Sequence, residues 1–532
     1  MVAPTLSAAP GLVEERAQHK WLVAAAVMLG TFLTVLDTSI VNVALPYMQG
    51  SFAASVDEIT WVVTSYLVAS GVMIPMTGWI AASLGRKRYF IVSVVVFMAA
   101  SGLCGMAQTL DQMVVFRLMQ GVAGAAMMPL SQAILLETFP PAEHTLAMST
   151  WGMGILVGPI LGPTLGGWIT THWSWRWNFY INLPAGVVTA LMVYSFVHDP
   201  AHLRERRSGR VDYLGIFLLV AALGLLQIVL DRGQRSDWFA APWVRYFVTC
   251  SGLSMVLLTI HELRFPDPIL DLRMFKHFSF SLGVILTAAQ VFVIFGVNLL
   301  NPLFTQELMG YDAWISGLAV APRGVGAVIS LFSIGQISRR GVDTRPFMVG
   351  GFLLAGWAAF RMADWNLSVS MMNLVPPIFI FGLGLGAVFS ALTSASLTGI
   401  PPARMGYASS LFNMVITTGA AVGVSTVSNM LTAHEQMHQT YLVQHFSVFD
   451  AWRMSRDHLP MPGAPHFNYL GQVISGQHQQ LGVLYGVIQS QAWLLAYNDV
   501  YRLMAMVLVF IAPWCLLLPR SGRGGGASAA SH

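Results

Sequence analysis

GPILGPTLGGWI, residues 158–169, gives six of its twelve positions to glycine and proline inside an otherwise apolar run. Proline lacks a backbone donor and crowds the preceding turn, and glycine adds backbone freedom, so both weaken an isolated helix. The spacing supplies a reason to tolerate them. Gly154, Gly158, Gly162 and Gly166 recur at every fourth residue, along one slowly winding stripe where missing side chains let a second helix approach closely. Pro159 and Pro163 sit one step off that stripe; each frees a carbonyl and bends the helix, and neighbouring membrane helices can re-satisfy such breaks. The stretch predicts a close-packed, bendable seam inside a bundle of membrane helices.

The chain around it agrees. Of 532 residues, 55% are hydrophobic and 10% charged, with a mean hydropathy of +0.63. A soluble globular protein carries about 25% charged residues, so that class is excluded. At roughly 20 apolar residues per crossing, the runs predict fourteen transmembrane helices, α1 to α14, over 21–45, 59–83, 88–108, 113–137, 147–170, 179–197, 211–231, 243–262, 278–301, 314–337, 346–362, 371–395, 406–432 and 498–518. The fold class is an all-α polytopic membrane protein. Cys104, Cys250 and Cys515 lie in apolar runs without metal or disulfide spacing. The polar first 19 residues lead into a segment too long for a signal peptide, so they read as an uncleaved cytosolic tail.

Even parity puts both termini on one side. Arg86, Lys87 and Arg88, the run Arg204, Arg206, Arg207 and Arg210, and Arg339, Arg340 and Arg345 fall on loops of that same side. Cytosolic loops concentrate Lys and Arg, so both termini are expected in the cytosol, and topology accounts for the formal charge of +4. The turn after α2, GWIAASLGRKR (78–88), and the loop after α10, GQISRRGVDTR (335–345), share a Gly-x-Ile start and a basic end. Two six-helix halves, residues 21–198 and 266–519, with two inserted helices within 199–265, put these loops at matching positions. A general preference of short cytosolic turns for glycine and arginine fits them equally well. Residues 1–20 and 520–532 form the tails.

The connection 433–497 carries His434, His438, His445, His458, His466 and His478. His434 and His438, one helical turn apart, admit a zinc reading; a polar extracytoplasmic loop with its own helical stretch is the preferred one, so no metal site is expected.

Two charges fall where the membrane should exclude them: Asp37 within VLDTSIVNVALP and Arg117 within VVFRLMQGVAG. An unpaired charge there costs several kcal/mol, so intramembrane ionisable residues face the bundle interior and mark ion or substrate paths. Asp37 lies about 13 Å and Arg117 about 9 Å from the outer ends of their helices at 1.5 Å per residue, so pairing is geometrically possible. A buried carboxylate is held charged by a nearby cation and neutralised when that cation withdraws, which is what a proton-coupled carrier needs. A permanent ion pair that only fixes helix packing is the alternative. Asn42 and Gln120 could complete a polar network. Arg323, in AVAPRGVGAVIS, has no carboxylate partner in its own helix, and both a structural and a substrate contact stay open. No GxxxxGK phosphate loop and no nucleophile elbow is present, and GLGLG (382–386) lies inside an apolar helix without a preceding strand, so no enzyme is expected.

LDTSIVNVALP (36–46), ITWVVTSYLVA (59–69), GWIAASLGRKR (78–88), RLMQGVAGAAMMPLSQ (117–132), GPILGPTLGGWI (158–169), WSWRWNFYINLPAG (173–186), LQIVLDRGQRSDWF (226–239), SGLAVAPRGVG (316–326) and QAWLLAYNDVY (491–501) together resemble the major facilitator superfamily. Within it the chain resembles the fourteen-helix drug:proton antiporters of the EmrB/QacA type, on the EmrB side. The resemblance implies proton-driven export of hydrophobic or amphipathic toxic compounds by alternating access, with a proton gradient in place of any cofactor. It implies Asp37 and Arg117 as the proton-coupling pair, Gly78, Gly85, Arg86 and Arg88 as the gating loop, and the glycine–proline stretch as the antiporter motif. The family's loop has an aspartate where this chain has Ala82 and an arginine where it has Ser83, which puts the usual charge relay in doubt. Trp61, Tyr66, Phe412 and Asn413 are expected candidates for the substrate cavity, with ordinary packing as their alternative. A bacterial inner-membrane location, a periplasmic adaptor and an outer-membrane channel as partners, and no nucleic acid, complete the expectation. The alternatives are a dedicated exporter of one fatty acid, siderophore or antibiotic, and a non-transporting receptor on the same fold.

Overall fold

A computed structural model describes residues 10–199, 212–233, 236, 238–266, 268–311, 313–401, 404–444 and 477–519. Helices occupy all fourteen expected positions: α1 (Pro10–Phe52), α2 (Trp61–Leu84), α3 (Arg86–Met106), α4 (Leu110–Thr138), α5 (His144–His172), α6 (Trp177–Phe196), α7 (Tyr213–Arg232), α8 (Pro242–Arg264), α9 (Phe278–Leu308), α10 (Ala313–Val320 and Pro322–Arg339), α11 (Arg345–Met362), α12 (Met371–Leu397), α13 (Met405–Gln444) and α14 (Gln477–Ile511). Among the described residues there is no strand, and twelve helices are long and apolar enough to cross a membrane; α5 and α11 fall outside that set.

Local chemistry sets the ends. Before α2, Ser55 and Glu58 form a reciprocal cap, and the Ser55 backbone N–H and hydroxyl donated to the Glu58 carboxylate hold its pKa below the usual value. Between α2 and α3, Gly85 adopts φ +86°, the region that favours glycine.

The opening stretch behaves as a seam. α5 runs unbroken through Pro159 and Pro163 and lays its glycine stripe on α1. A Cβ added at Gly154 lies 3.0 Å from Met28, at Gly158 2.7 Å from Val35, at Gly162 2.3 Å from Ser39, and at Gly166 3.2 Å from Ile40. No side chain fits between the two helices at Gly158 and Gly162.

The halves meet at the end that carries the Arg86 turn and the Arg339–Arg345 loop. There Asn413 on α13 donates to Gln132 on α4 (2.7 Å), Thr145 on α5 to Ser394 on α12 (3.3 Å), and Trp151 stacks on Phe389 at 6.3 Å. Gly78 on α2 abuts the Gly406–Tyr407 backbone, and Gly335 on α10 abuts Leu146 and Ser149. One apolar core accordingly runs from Val27, Phe90 and Trp151 across to Phe280, Leu397 and Phe412. At the opposite end Val41, Met48, Val62, Met113 and Phe179 form a core of first-half residues alone. The described residues close against each other at the basic end, and among them the apolar core at the other end belongs to the first half.

α7 leans on α2, where Asp231 accepts a hydrogen bond from Thr64 and Arg232 donates to Thr60 (2.9 Å). α8 follows, tied to α7 by His261 with Asp212 (2.8 Å) and by the Ser251 hydroxyl donated to the Ala222 carbonyl (2.6 Å).

The helical stretch expected within the 433–497 connection is present and continuous with α14, and α13 also runs on into the connection. α13 continues to Gln444 and α14 begins at Gln477. Residues 432–444 contain neither glycine nor proline, and Gln439 donates to the Tyr485 hydroxyl (2.9 Å), so paired helices persist beyond the apolar layer. His445, His458 and His466 lie outside the described residues, as does the side chain of His478.

Candidate functional site

Asp37 and Arg117 meet in the first half. The Arg117 Nη1 donates to Asp37 Oδ2 at 2.6 Å, with the two side chains 1% and 0% exposed. Three helices fill the remaining valences. Asp37 Oδ1 accepts from Gln120 Nε2 (2.9 Å) on α4 and from Asn182 Nδ2 (2.8 Å) on α6. Arg117 donates Nε to the Val62 carbonyl (3.0 Å) on α2 and Nη1 to Gln120 Oε1 (2.8 Å). Its guanidinium lies 4.4 Å from the centre of the Tyr66 ring and 5.9 Å from that of Phe179. Asn182 also donates to Ser101 (3.0 Å) on α3, whose hydroxyl donates to the Phe179 carbonyl (2.8 Å). A buried charge pair is tolerable only when its lone pairs and protons are satisfied in this way.

The expected residues divide. Gln120 joins the network, and Tyr66 joins it as an aromatic floor under Arg117 rather than as a cavity wall. Asn42 does not join: it is exposed, and its place is taken by Asn182. Trp61 packs under Arg232 of α7, 4.0 Å from ring centre to guanidinium, so it serves the α2–α7 contact. Phe412 and Asn413 are 1% and 2% exposed and seal the basic end between the halves. Arg323 is half-buried, and its Nη1 is enclosed without a hydrogen-bond partner among the described residues.

At the turn after α2, Arg86 is buried and paired with Glu137 at the end of α4, while the Lys87 amide donates to Asp199 (2.9 Å) just past α6. Asp199 also lies where a Cβ on Gly85 would point, 2.8 Å away. Arg88 is exposed. The turn thus holds one charge pair, Arg86 with Glu137, despite Ala82 and Ser83, and a backbone amide bonded to the carboxylate just past α6.

One residue escaped the sequence reading, and one motif was read only in part. Asn182, a polar residue inside the apolar NFYINLPAG, carried the same signal that exposed Asp37. HEQMH, residues 434–438, holds the two histidines weighed for zinc and, contrary to the expectation that no His-Glu-x-x-His is present, spells that motif on α13, opposite Asp499 of α14.

Two helical bundles, closed against each other at one end and holding a satisfied ion pair in one of them, define a membrane carrier. The Major Facilitator Superfamily model matches residues 27–424. The chain is 34% identical over 513 residues to the multidrug export protein EmrB of Escherichia coli (strain K12), covering 95% of this chain and 96% of that one. It is 33% identical to the fatty acid resistance protein FarB of Neisseria gonorrhoeae, covering 94% and 96%. Among solved structures, the human organic anion transporter MFSD10 matches with a TM-score of 0.59 at 14% identity, covering 92% of this chain and 99% of that one. The proton:xylose symporter XylE matches with a TM-score of 0.58 at 15% identity, covering 92% and 95%. These two speak for the fold. The chain belongs to the major facilitator superfamily, in its EmrB-type branch.

Proposed function

We propose that this protein exports hydrophobic and amphipathic compounds across a bacterial inner membrane in exchange for protons. In this reading it has fourteen spans and cytoplasmic termini. Seated in a carrier fold, the Asp37–Arg117 pair carries the proposal: a carboxylate shared by one cation and two amides can take a proton when α1 or α4 shifts, releasing Arg117 to its other partners. The α5 seam runs along the same face of α1, past Val35, Leu36 and Ser39, so movement of α5 reaches the helix that carries Asp37. The closed basic end corresponds to an outward-facing state of alternating access.

The experiment is substrate-dependent proton movement in proteoliposomes under an imposed pH gradient. Lipophilic cations and uncharged amphiphiles are expected to move against protons; a receptor on this fold gives no proton movement with any compound. The likeness to EmrB extends the proposal to a periplasmic adaptor and an outer-membrane channel. Cross-linking of the exposed end to a co-expressed adaptor tests it, and absence of any cross-link along the rim counts against it.

A second reading is supported by Arg323. A half-buried guanidinium whose enclosed Nη1 has no hydrogen-bond partner among the described residues suits an anionic amphiphile such as a fatty acid, and a fatty acid resistance protein is among the relatives. Arg323→Gln then lowers efflux of fatty acids and spares that of cations; equal effects on both remove this reading.

A further inference from the structure

The outer part of α13 holds a side-chain cluster that export does not use. His434 and His438 stand one turn apart, and Asp499 reaches them from α14. Asp499 Oδ2 lies 3.2 Å from His434 Nδ1 and 2.7 Å from His438 Nε2, and the three donor atoms all fall within 4.8 Å of one another. Zinc takes nitrogen and oxygen donors at about 2.0–2.2 Å in a tetrahedron, which separates the donors by about 3.3–3.5 Å. The two Asp499–imidazole spacings need to open by less than about 1 Å, and the imidazole–imidazole spacing, at most 4.8 Å, to close by no more than about 1.5 Å, to admit such an ion.

The surroundings suit an ion. Arg502 lies 3.7 Å from the other carboxylate oxygen, Asp499 Oδ1, and Oδ2 is the oxygen that faces the two imidazoles. The side chains are 31%, 19% and 28% exposed, so ions can reach them while helix packing still restrains them. His434 follows Met405 by 29 residues, about 43 Å along α13 at 1.5 Å per residue, beyond an apolar layer of about 30 Å. The cluster sits at the aqueous edge. Two imidazoles and one carboxylate favour first-row transition ions over magnesium or calcium, which prefer all-oxygen shells.

We propose that His434, His438 and Asp499 bind a transition-metal dication of the zinc class, with water completing the tetrahedron. The ion ties the extension of α13 to α14 at the rim of the outer end. The inference concerns binding and does not depend on the export reading.

The test uses tag-free, full-length protein in detergent, stripped with a chelator and titrated with zinc against a chromophoric competitor. One ion per chain is expected, and cobalt is expected to give the intense visible bands of a tetrahedral site. His438→Ala and Asp499→Asn should each weaken binding by about 100-fold, the upper end of what even an outer-shell partner costs. His172→Ala, at the end of α5, should leave it unchanged. Asp499→Asn keeps the side chain's shape, so it carries the test if His438→Ala folds poorly; zinc should raise the thermal unfolding temperature of the unaltered protein and not that of the variant. Undiminished affinity in Asp499→Asn, or no binding by the folded, unaltered protein, overturns the proposal and leaves the cluster a hydrogen-bonded clasp.

Discussion

Replacing Asp37 with asparagine separates the proposed coupling role of the ion pair from its structural role. The carboxylate accepts on both oxygens: Arg117 at Oδ2, and Gln120 and Asn182 at Oδ1. An asparagine amide has one acceptor and one NH2 group, so in either orientation its donor faces another donor. Removing one partner of a buried pair costs about 3–5 kcal/mol. Arg117 keeps the Val62 carbonyl, Gln120 Oε1 and the face of Tyr66, so the lower end, about 3 kcal/mol, is expected. Thermal unfolding in detergent reads that loss. Adding Arg117→Gln removes the stranded cation, and the double variant should be at least about 1 kcal/mol more stable than the sum of the singles. In proteoliposomes Asp37→Asn should end pH-driven transport while substrate still binds. A variant that is destabilised yet still driven by the pH gradient refutes coupling through Asp37 and leaves the pair a packing device. One that matches the unaltered protein in stability as well refutes the buried geometry.

Other perturbations follow from the same contacts. Gly162→Ala puts a Cβ 2.3 Å from the Ser39 hydroxyl and should cost about 1–3 kcal/mol by overpacking, relieved in part by Ser39→Ala, whereas Gly167→Ala, 3.8 Å from Val43, should be neutral or slightly stabilising. Equal unfolding temperatures for the two alanine variants contradict the seam. Asn413→Ala removes the bond to Gln132 and should shift the balance of states by about 1 kcal/mol, roughly fivefold, read as faster alkylation of a cysteine placed at Ser394; an unchanged rate rules out the latch. Arg232→Gln loses the Trp61 face and the Thr60 bond, and about 1–2 kcal/mol of stability is expected to go with them while pH-driven transport continues; transport lost at unchanged stability would return Trp61 to the substrate path.

Helix positions were legible in the sequence because a run of apolar residues matched against a fixed membrane thickness is a one-dimensional problem. The Asp37–Arg117 pairing was legible for the same reason, since counting residues from each helix end gives depth. What depth does not give is direction. Asn42 is five residues from Asp37, which on a helix turning about 100° per residue puts it roughly 140° around the axis. Asn182, 145 residues away on another helix, faces the carboxylate instead. Phe412 and Asn413 raise a different question: the same side chains can line a path in one arrangement of the halves and seal it in another, and a sequence does not specify which arrangement is populated. The loop before α14 was overdrawn because hydropathy reports where a helix leaves the membrane, not where it ends.

The turn after α2 shows how a motif's chemistry can outlast its letters. Ala82 and Ser83 remove an acid and a base from the family pattern, and from the sequence alone the charge relay looks lost. The geometry needs only that Arg86 find a carboxylate and that the exposed amides past Gly85 find an acceptor. Glu137, at the end of α4, meets the first need. Asp199, just past α6, meets the second and sits so close to Gly85 that a Cβ there would strike it. Acceptors drawn from α4 and the end of α6 tie the turn to elements that flank Asp37 and Arg117, since α4 carries Arg117 and Gln120 and α6 carries Asn182. If the basic end opens as proposed, displacement of the turn is expected to pass along α4 and α6 to the buried pair, by a route that needs neither of the missing residues.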